Sequence, residues 1–138
     1  MPAEAGHLRY FFDENTLGIG KIMAIARRDC VHTGHALIAS LANYGDQDVD
    51  WIPGVTTQGL VVVSRDRRIR TRPAELQKFK ECGARGMWFA GKKNLSNWDY
   101  LLLVARRWSD VEAFVDSHPT GPWALAINAN TVEEIPLA

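Results

Sequence analysis

The chain has 138 residues, of which 46% are hydrophobic and 23% are charged, as in an ordinary globular protein. This length is close to the commonest size of one domain, so we expect a single domain over residues 1–138. No apolar run approaches the roughly 20 residues of a membrane helix, and the first residues lack a signal-peptide pattern. We therefore expect a cytoplasmic protein, in which Cys30 and Cys82 are both reduced.

The charges balance, with 16 basic and 16 acidic residues, so total charge predicts no polyanionic partner. Their distribution is uneven, however. Acidic residues concentrate between Asp46 and Asp50, and five arginines lie within eight positions from Arg65 to Arg72. A concentrated arginine strip can bind nucleic acid locally even on a neutral protein.

The first half of the chain alternates strand-like and helix-like patterns. An apolar and aromatic run over Leu8–Phe12 predicts a strand that ends at Asp13. The elements expected next are a glycine turn, a helix over Lys21–Arg28, a short strand over Cys30–Thr33, helical spacing over Ala36–Tyr44, and a short helix over Trp51–Gln58 with Pro53 in its first turn.

The second half continues the alternation. Leu60–Val63 is uniformly apolar, as expected for a central parallel strand. We then expect a helix over Pro73–Glu81 that is ended by Gly83, followed by a strand over Gly86–Ala90. The next helix is capped by Ser96–Asp99, and its apolar face consists of Leu101, Val104, Trp108, Val111 and Val115. A strand over Trp123–Ile127 follows it. The segment Asn128–Ala138 has no clear pattern. The alternation predicts an α/β fold, a three-layer α/β/α sandwich around a mainly parallel sheet.

These patterns place four of the five tryptophans. Trp88, Trp98, Trp108 and Trp123 fall on apolar faces of predicted strands or helices, so we expect them in the core. Trp51 borders the acidic cluster, and its pattern does not decide between core and surface.

Two of the clearest strands end in aspartate, Asp13 and Asp66. If these strands are parallel neighbours, both carboxylates lie at one edge of the sheet, where α/β proteins bind ligands. Asp48 or Asp50 can supply a third carboxylate. Such a group favours a hard divalent cation, Mg²⁺ or Mn²⁺, which can activate water against a phosphodiester. Aspartates after strands are also common turn residues, which is the structural alternative.

Three segments, Phe11–Asn15, Asp48–Ile52 and Val61–Asp66, resemble the PIN-like fold, in particular the VapC-type toxins of toxin–antitoxin pairs. The resemblance covers about residues 8–90. It implies a single PIN-like domain with Mg²⁺-dependent endoribonuclease activity, and it implies Asp13, Asp48 and Asp66 as catalytic metal ligands. Asp50 is the alternative to Asp48, and Glu14 is a further acidic candidate.

The chain departs from that family in one respect. Many members have a fourth acidic residue about one helix after the third, where this chain reads Cys82–Gly86 without an acid. The resemblance also implies an antitoxin partner, with either a homodimer or a hetero-oligomer as the assembly.

The arginine strip begins beside the proposed metal site. We expect Arg65, Arg67 and Arg68 to contact RNA phosphates, although the strip can equally pair with the acidic cluster. A zinc site built on Cys30, His32 and His35 lacks a fourth ligand and is disfavoured.

Two other functions remain open. One is a catalytically inactive PIN-like binding protein, which the missing fourth acid favours. The other is a receiver-like phosphoacceptor domain, which also places acids at strand ends but needs a lysine after a late strand. Only Lys92 and Lys93 approach that requirement.

Overall fold

The computed structural model describes residues 1–91 and 94–137. Its six-stranded sheet has the order β2-β1-β3-β4-β5-β6. The strands are β1 (Tyr10–Phe12), β2 (Cys30–His32), β3 (Val61–Ser64), β4 (Arg85–Phe89), β5 (Trp123–Ile127) and β6 (Val132–Ile135). The helices are α1 (Leu17–Ala26), α2 (Asp48–Thr57), α3 (Arg68–Thr71), α4 (Pro73–Cys82) and α5 (Asn97–Ser117), with 3₁₀ turns at Glu14–Thr16 and Ala36–Ile38.

Among the described strands, β1 to β5 are parallel to one another, and β6 pairs antiparallel with β5. Strand β1 lies between β2 and β3, with Phe12 opposite both His32 and Val63. The mainly parallel α/β sheet predicted from the sequence is therefore confirmed. Because the strands are parallel, the residues that follow β1, β2 and β3 come out at the same edge.

Alternate side chains of β1 enter two separate cores, one on each face of the sheet. Tyr10 and Phe12 pack with α1 and α5, whereas Phe11 packs with α2 and α4. All three side chains are fully buried. A strand buried on both faces shows no polar alternation, which explains why its sequence is uniformly apolar.

Helix α1 begins at Leu17, four residues before the predicted start at Lys21, and ends at Ala26. The prediction assigned Gly18 and Gly20 to a turn, but both are helical. At Gly20 a Cβ atom would lie 2.6 Å from the Cβ of Phe12, so glycine allows the helix to approach the strand closely. This glycine reflects packing and not a turn.

Helix α5 begins where the capping pattern predicted. The Ser96 hydroxyl accepts a hydrogen bond from the Asp99 backbone N–H at 3.1 Å. The predicted apolar face is buried at Val104, Trp108, Val111 and Val115, and Leu101 is partly buried against the same core. Helix α4 likewise ends as predicted at Gly83, which adopts a left-handed conformation with φ of 67°.

The region between β2 and α2 differs from the prediction. Only Ala36–Ile38 forms a short 3₁₀ turn, where helical spacing suggested a helix to Tyr44. Helix α2 begins at Asp48, three residues earlier than expected, and Pro53 therefore lies inside the helix. Acidic side chains are favoured in the first turn of a helix, which accounts for the earlier start.

The structure corrects one tryptophan assignment and resolves two points that the sequence left open. Trp98 is 65% exposed in the first turn of α5, so its assignment to the core was wrong, whereas Trp51 is buried. The unassigned tail contributes β6.

Cys30 and Cys82 are both free thiols. Within residues 1–91 and 94–137, no helix has both the length and the apolar character of a membrane span. Lys92 and Lys93, on which the receiver-like alternative depends, lie outside the described residues.

Candidate functional site

Two of the acidic residues singled out from the sequence, Asp13 and Asp66, follow β1 and β3, which are neighbours in the parallel region. The chain moves outward in opposite directions from this point, to β2 on one side and to β4 on the other. Ligands bind α/β sheets beyond the carboxyl ends of the strands at such a switch point. Asp13 and Asp66 both lie there.

Asp13 is almost completely buried, with 3% of its surface exposed. One carboxylate oxygen accepts a hydrogen bond of 2.6 Å from the Ser64 hydroxyl. The other lies 3.1 Å from the Thr16 hydroxyl, which is equally close to the carbonyl oxygens of Asp13 and Val63. Since a hydroxyl has a single proton, Thr16 cannot donate to all three acceptors at once. Asp13 is therefore only partly stabilised in its charged form.

Burial raises the pKa of Asp13 to about 7. Hydrogen bonds from Ser64 and Thr16 oppose this rise, whereas the negative charges of Asp48 and Asp66 add to it. A buried carboxyl group surrounded by like charges holds its proton near neutral pH unless a cation joins the group.

Ser64, the last residue of β3, connects the two strand ends. Its hydroxyl contacts Asp13 and accepts a hydrogen bond of 2.9 Å from the backbone N–H of Asp66. The side-chain oxygen of Asn15 accepts from the Arg65 backbone N–H at 3.1 Å. These bonds fix the backbone after β3 relative to the backbone after β1. The sequence patterns that point to Asp13 and Asp66 give no signal that Ser64 links them.

Asp48 is the first residue of α2 and is half-buried. Burial and the charges of Asp66 and Glu75 raise its pKa, while a hydrogen bond with Trp51 and the charge of Arg68 oppose the rise. Asp50 lies two residues further along α2, is exposed, and is not among the residues lining the cavity that contains Asp48. The geometry thus favours Asp48 of the two alternatives.

Asp66 is held by its neighbour Arg68 in a two-pronged ion pair. The Arg68 Nε atom lies 2.8 Å from Oδ1, and Nη2 lies 2.7 Å from Oδ2. The backbone N–H of Arg68 also donates to Oδ1 at 2.9 Å. Although burial acts in the opposite direction, these bonds hold the pKa of Asp66 below its usual value. Asp66 is thus ionised and already has a cationic partner.

One cavity of about 290 Å³ is lined by Asp13, Asp48 and Asp66 together. We call it the acidic cavity. Glu14 also lines it, and its carboxylate accepts a hydrogen bond of 2.8 Å from the Gly45 N–H. Glu75, in the first turn of α4, is a further acidic lining residue, which the sequence patterns did not single out as a site residue.

A second cavity of about 430 Å³ adjoins the first, and we call it the arginine cavity. Arg65 and Arg67 line it, and Arg68 lines both cavities. Arg65 donates to the Asn15 carbonyl at 3.2 Å, and Arg67 donates to the Gly91 carbonyl at 3.3 Å. The arginines predicted to contact RNA therefore lie beside the acidic residues.

The other two arginines of the strip have different surroundings. Arg70 lies over the Trp88 ring, with its guanidinium carbon 5.5 Å from the ring centre, and is half-buried. Arg72 lines the acidic cavity. The strip is therefore divided, and Arg70 has a packing role.

The chemistry of the donor set fits Mg²⁺ or Mn²⁺, because every acidic ligand candidate offers hard oxygen atoms. In the described part of the chain, however, no three Asp, Glu, His or Cys side chains form a group able to hold a metal ion. The Arg68 ion pair and the hydrogen bonds to Asp13 occupy the carboxylate oxygens that a cation would need. The acidic side chains thus offer the oxygen atoms that Mg²⁺ or Mn²⁺ prefers. A bound cation would have to displace Arg68 from Asp66 and draw the carboxylates together.

The zinc alternative finds no support in the local contacts. The Cys30 thiol is buried and donates to the Asp29 carboxylate, and burial raises its pKa. His32 and His35 each use Nδ1 for a backbone contact, with the Thr33 carbonyl and the Leu37 N–H respectively.

Comparison with known families identifies the class of protein. A family model described as a PIN like domain matches residues 8–91, which is more than half of the chain. The chain therefore belongs to the PIN-like domain family, whose members are generally nucleases. Comparisons with curated proteins and with solved structures gave no match.

Proposed function

We propose that this protein is a Mg²⁺-dependent endoribonuclease of the VapC type, which hydrolyses phosphodiester bonds in RNA. The observation that carries the proposal is that Asp13, Asp48 and Asp66 line a single cavity at the carboxyl edge of the sheet. The arginine cavity beside it gives the site a surface for a polyanion. Family membership adds the expectation of nuclease chemistry.

Each group has a distinct part in this proposal. Asp13, Asp48 and Asp66 would hold Mg²⁺, with Glu75 as a fourth acidic residue in place of the one missing between Cys82 and Gly86. When bound, the ion would activate water and stabilise the departing oxygen. Arginine guanidinium groups bind phosphate oxygens through paired hydrogen bonds, so Arg65, Arg67 and Arg68 would position the strand for in-line attack.

Cleavage of a single-stranded RNA, followed on a denaturing gel, tests the catalytic assignment. We expect cleavage with Mg²⁺ or Mn²⁺ and none with EDTA. Asp13→Asn, Asp48→Asn and Asp66→Asn should each abolish cleavage, whereas Asp50→Asn should retain it because Asp50 lies outside the cavity. An Asp13→Asn or Asp66→Asn protein that cuts at the parent rate overturns the proposal. A matched single-stranded DNA distinguishes the two nucleic acids.

The toxin role is a separate part of the proposal. A ribonuclease toxin arrests growth unless a cognate antitoxin binds it, and the two proteins then form a hetero-oligomer. Induced expression should therefore stop growth, and Asp66→Asn should remove the effect. Normal growth with active enzyme present would argue against a toxin and leave the nuclease assignment intact.

Two alternatives give different results in the same experiments. A catalytically inactive binding protein would cleave no RNA, and Mn²⁺ would not raise its melting temperature. A receiver-like domain would gain the mass of one phosphoryl group after incubation with acetyl phosphate. Receiver-like domains have the strand order 2-1-3-4-5, which the five parallel strands of this chain also have.

A further inference from the structure

We propose that Arg68 is an internal cation that competes with the divalent metal for Asp66, and that an RNA phosphate relieves the competition by drawing Arg68 away. The inference rests on the proposed function and adds a means of regulation to the same site. It predicts that metal and substrate bind cooperatively.

The first step concerns the two partners of the ion pair. The Asp66 side chain is only 11% exposed, and both of its oxygens receive N–H donors from Arg68. The Arg68 side chain, in contrast, is 59% exposed. A guanidinium group in this position bonds to the same oxygens that a divalent cation would use, and the two positive charges repel each other there, so binding of one weakens binding of the other.

The second step concerns which partner can move. The backbone of Asp66 is fixed on both sides, because its N–H donates to Ser64 at 2.9 Å and its carbonyl accepts from the Trp88 indole at 3.0 Å. Arg68 lies at the start of the four-residue helix α3, and its side chain extends towards solvent. Release of Asp66 is therefore a movement of the arginine side chain and not of the carboxylate.

The third step concerns where Arg68 can go. It lines the acidic cavity and also the arginine cavity, where Arg65 and Arg67 lie. A phosphate there offers Arg68 a second two-pronged partner of the same kind as the carboxylate. An RNA strand lying along both cavities would thus supply the anion that frees Asp66.

This arrangement explains why the described residues contain no ready three-ligand group even though three aspartates line one cavity. In the absence of RNA, the affinity for metal is reduced by the need to displace Arg68. By linkage, whatever factor RNA adds to metal affinity, metal must add to RNA affinity.

Mn²⁺ titration of the EDTA-treated full-length protein, followed by calorimetry and by melting temperature, tests the first half of the inference. Arg68→Ala and Arg68→Gln should each bind Mn²⁺ about fivefold or more tightly than the parent protein. The matched control is Arg67→Ala, which removes the same charge from the adjacent residue, whose guanidinium donates to the Gly91 carbonyl and not to the Asp66 carboxylate. It should change Mn²⁺ affinity by a clearly smaller factor.

The second half is tested with a single-stranded oligonucleotide whose phosphorothioate linkages slow cleavage. Adding it should lower the Kd for Mn²⁺ of the parent protein, and the gain should be lost in Arg68→Ala. Unchanged or weaker Mn²⁺ binding in both Arg68 variants, measured without RNA, overturns the inference. An increase in Mn²⁺ affinity in Arg67→Ala equal to that in the Arg68 variants, again without RNA, also overturns it. If Mn²⁺ binds the parent and Asp66→Asn equally, or binds neither of them nor the Arg68 variants, the proposed metal site itself fails and the inference fails with it.

Discussion

Replacing Asp13 by Asn should make the metal-free protein more stable, and the gain should grow with pH. Burial raises the pKa of Asp13 to about 7, from a reference value of 3.8. Below the reference value both folded and unfolded chains carry the proton, so the group contributes nothing. Between the two values the unfolded chain has lost the proton and the folded chain keeps it, so stability falls as pH rises.

The magnitude follows from the size of the shift. One pKa unit corresponds to about 1.4 kcal/mol, so the full penalty on the parent protein reaches about 4 kcal/mol above pH 7. Asparagine has no charge to desolvate and is nearly the same size. The hydrogen bonds it loses to Ser64 or Thr16 cost about 1 kcal/mol, a cost that does not depend on pH.

Urea unfolding in EDTA at a series of pH values is the measurement. The difference in unfolding free energy between Asp13→Asn and the parent should increase by about 3 kcal/mol from pH 5 to pH 8. Asp50→Asn is the matched control, and its difference should stay nearly constant because that carboxylate is exposed to water. A difference for Asp13→Asn that does not change with pH would refute the reasoning about burial.

Three other outcomes are expected from the same site. The rise in melting temperature produced by Mn²⁺ should be larger at pH 8 than at pH 6, because Asp13 must lose its proton before it can bind a cation; a larger rise at pH 6 would contradict this. Ser64→Ala removes the hydroxyl that donates to Asp13 at 2.6 Å, so it should lower the free energy of unfolding in urea by about 1 kcal/mol and weaken Mn²⁺ binding. Ser117→Ala, on the exposed surface of α5, is the control and should leave Mn²⁺ binding unchanged. If Arg67 contacts a phosphate, Arg67→Ala should reduce the log–log salt dependence of single-strand binding by about 0.7, and an unchanged slope would remove Arg67 from the interface.

Local sequence patterns identified most of the fold because the central strands β1 and β3 are buried on both faces. Uniformly apolar runs located β1 and β3, and a serine cap located the start of α5. The predictions were wrong where tertiary contacts determine the local structure or the burial of a side chain. Gly20 looked like a turn residue because the sequence does not show that Phe12 lies against it. Trp98 follows the cap of an amphipathic helix, but its position lies on the outer face.

The sequence identified only some of the residues of the candidate site. Strand-end position was enough to single out Asp13 and Asp66, and both line the acidic cavity. Glu75 was not identified, because an acid in the first turn of a helix is fully explained by the helix dipole. Its proximity to Asp48 depends on how α4 packs against α2, which no local pattern encodes. Arg68 and Asp66 are two residues apart in the sequence, but only the folded structure shows that their ion pair lies in the acidic cavity.

Strand β6 has a consequence for the behaviour of the protein in concentrated solution. It forms one border of the sheet, and a border strand can recruit a strand from another molecule and begin aggregation. Glu133 and Glu134 lie side by side on it and are exposed, so two approaching molecules would bring carboxylates together on both faces. For a chain with no net charge to keep its copies apart, these two glutamates provide local repulsion where self-association would otherwise be easiest.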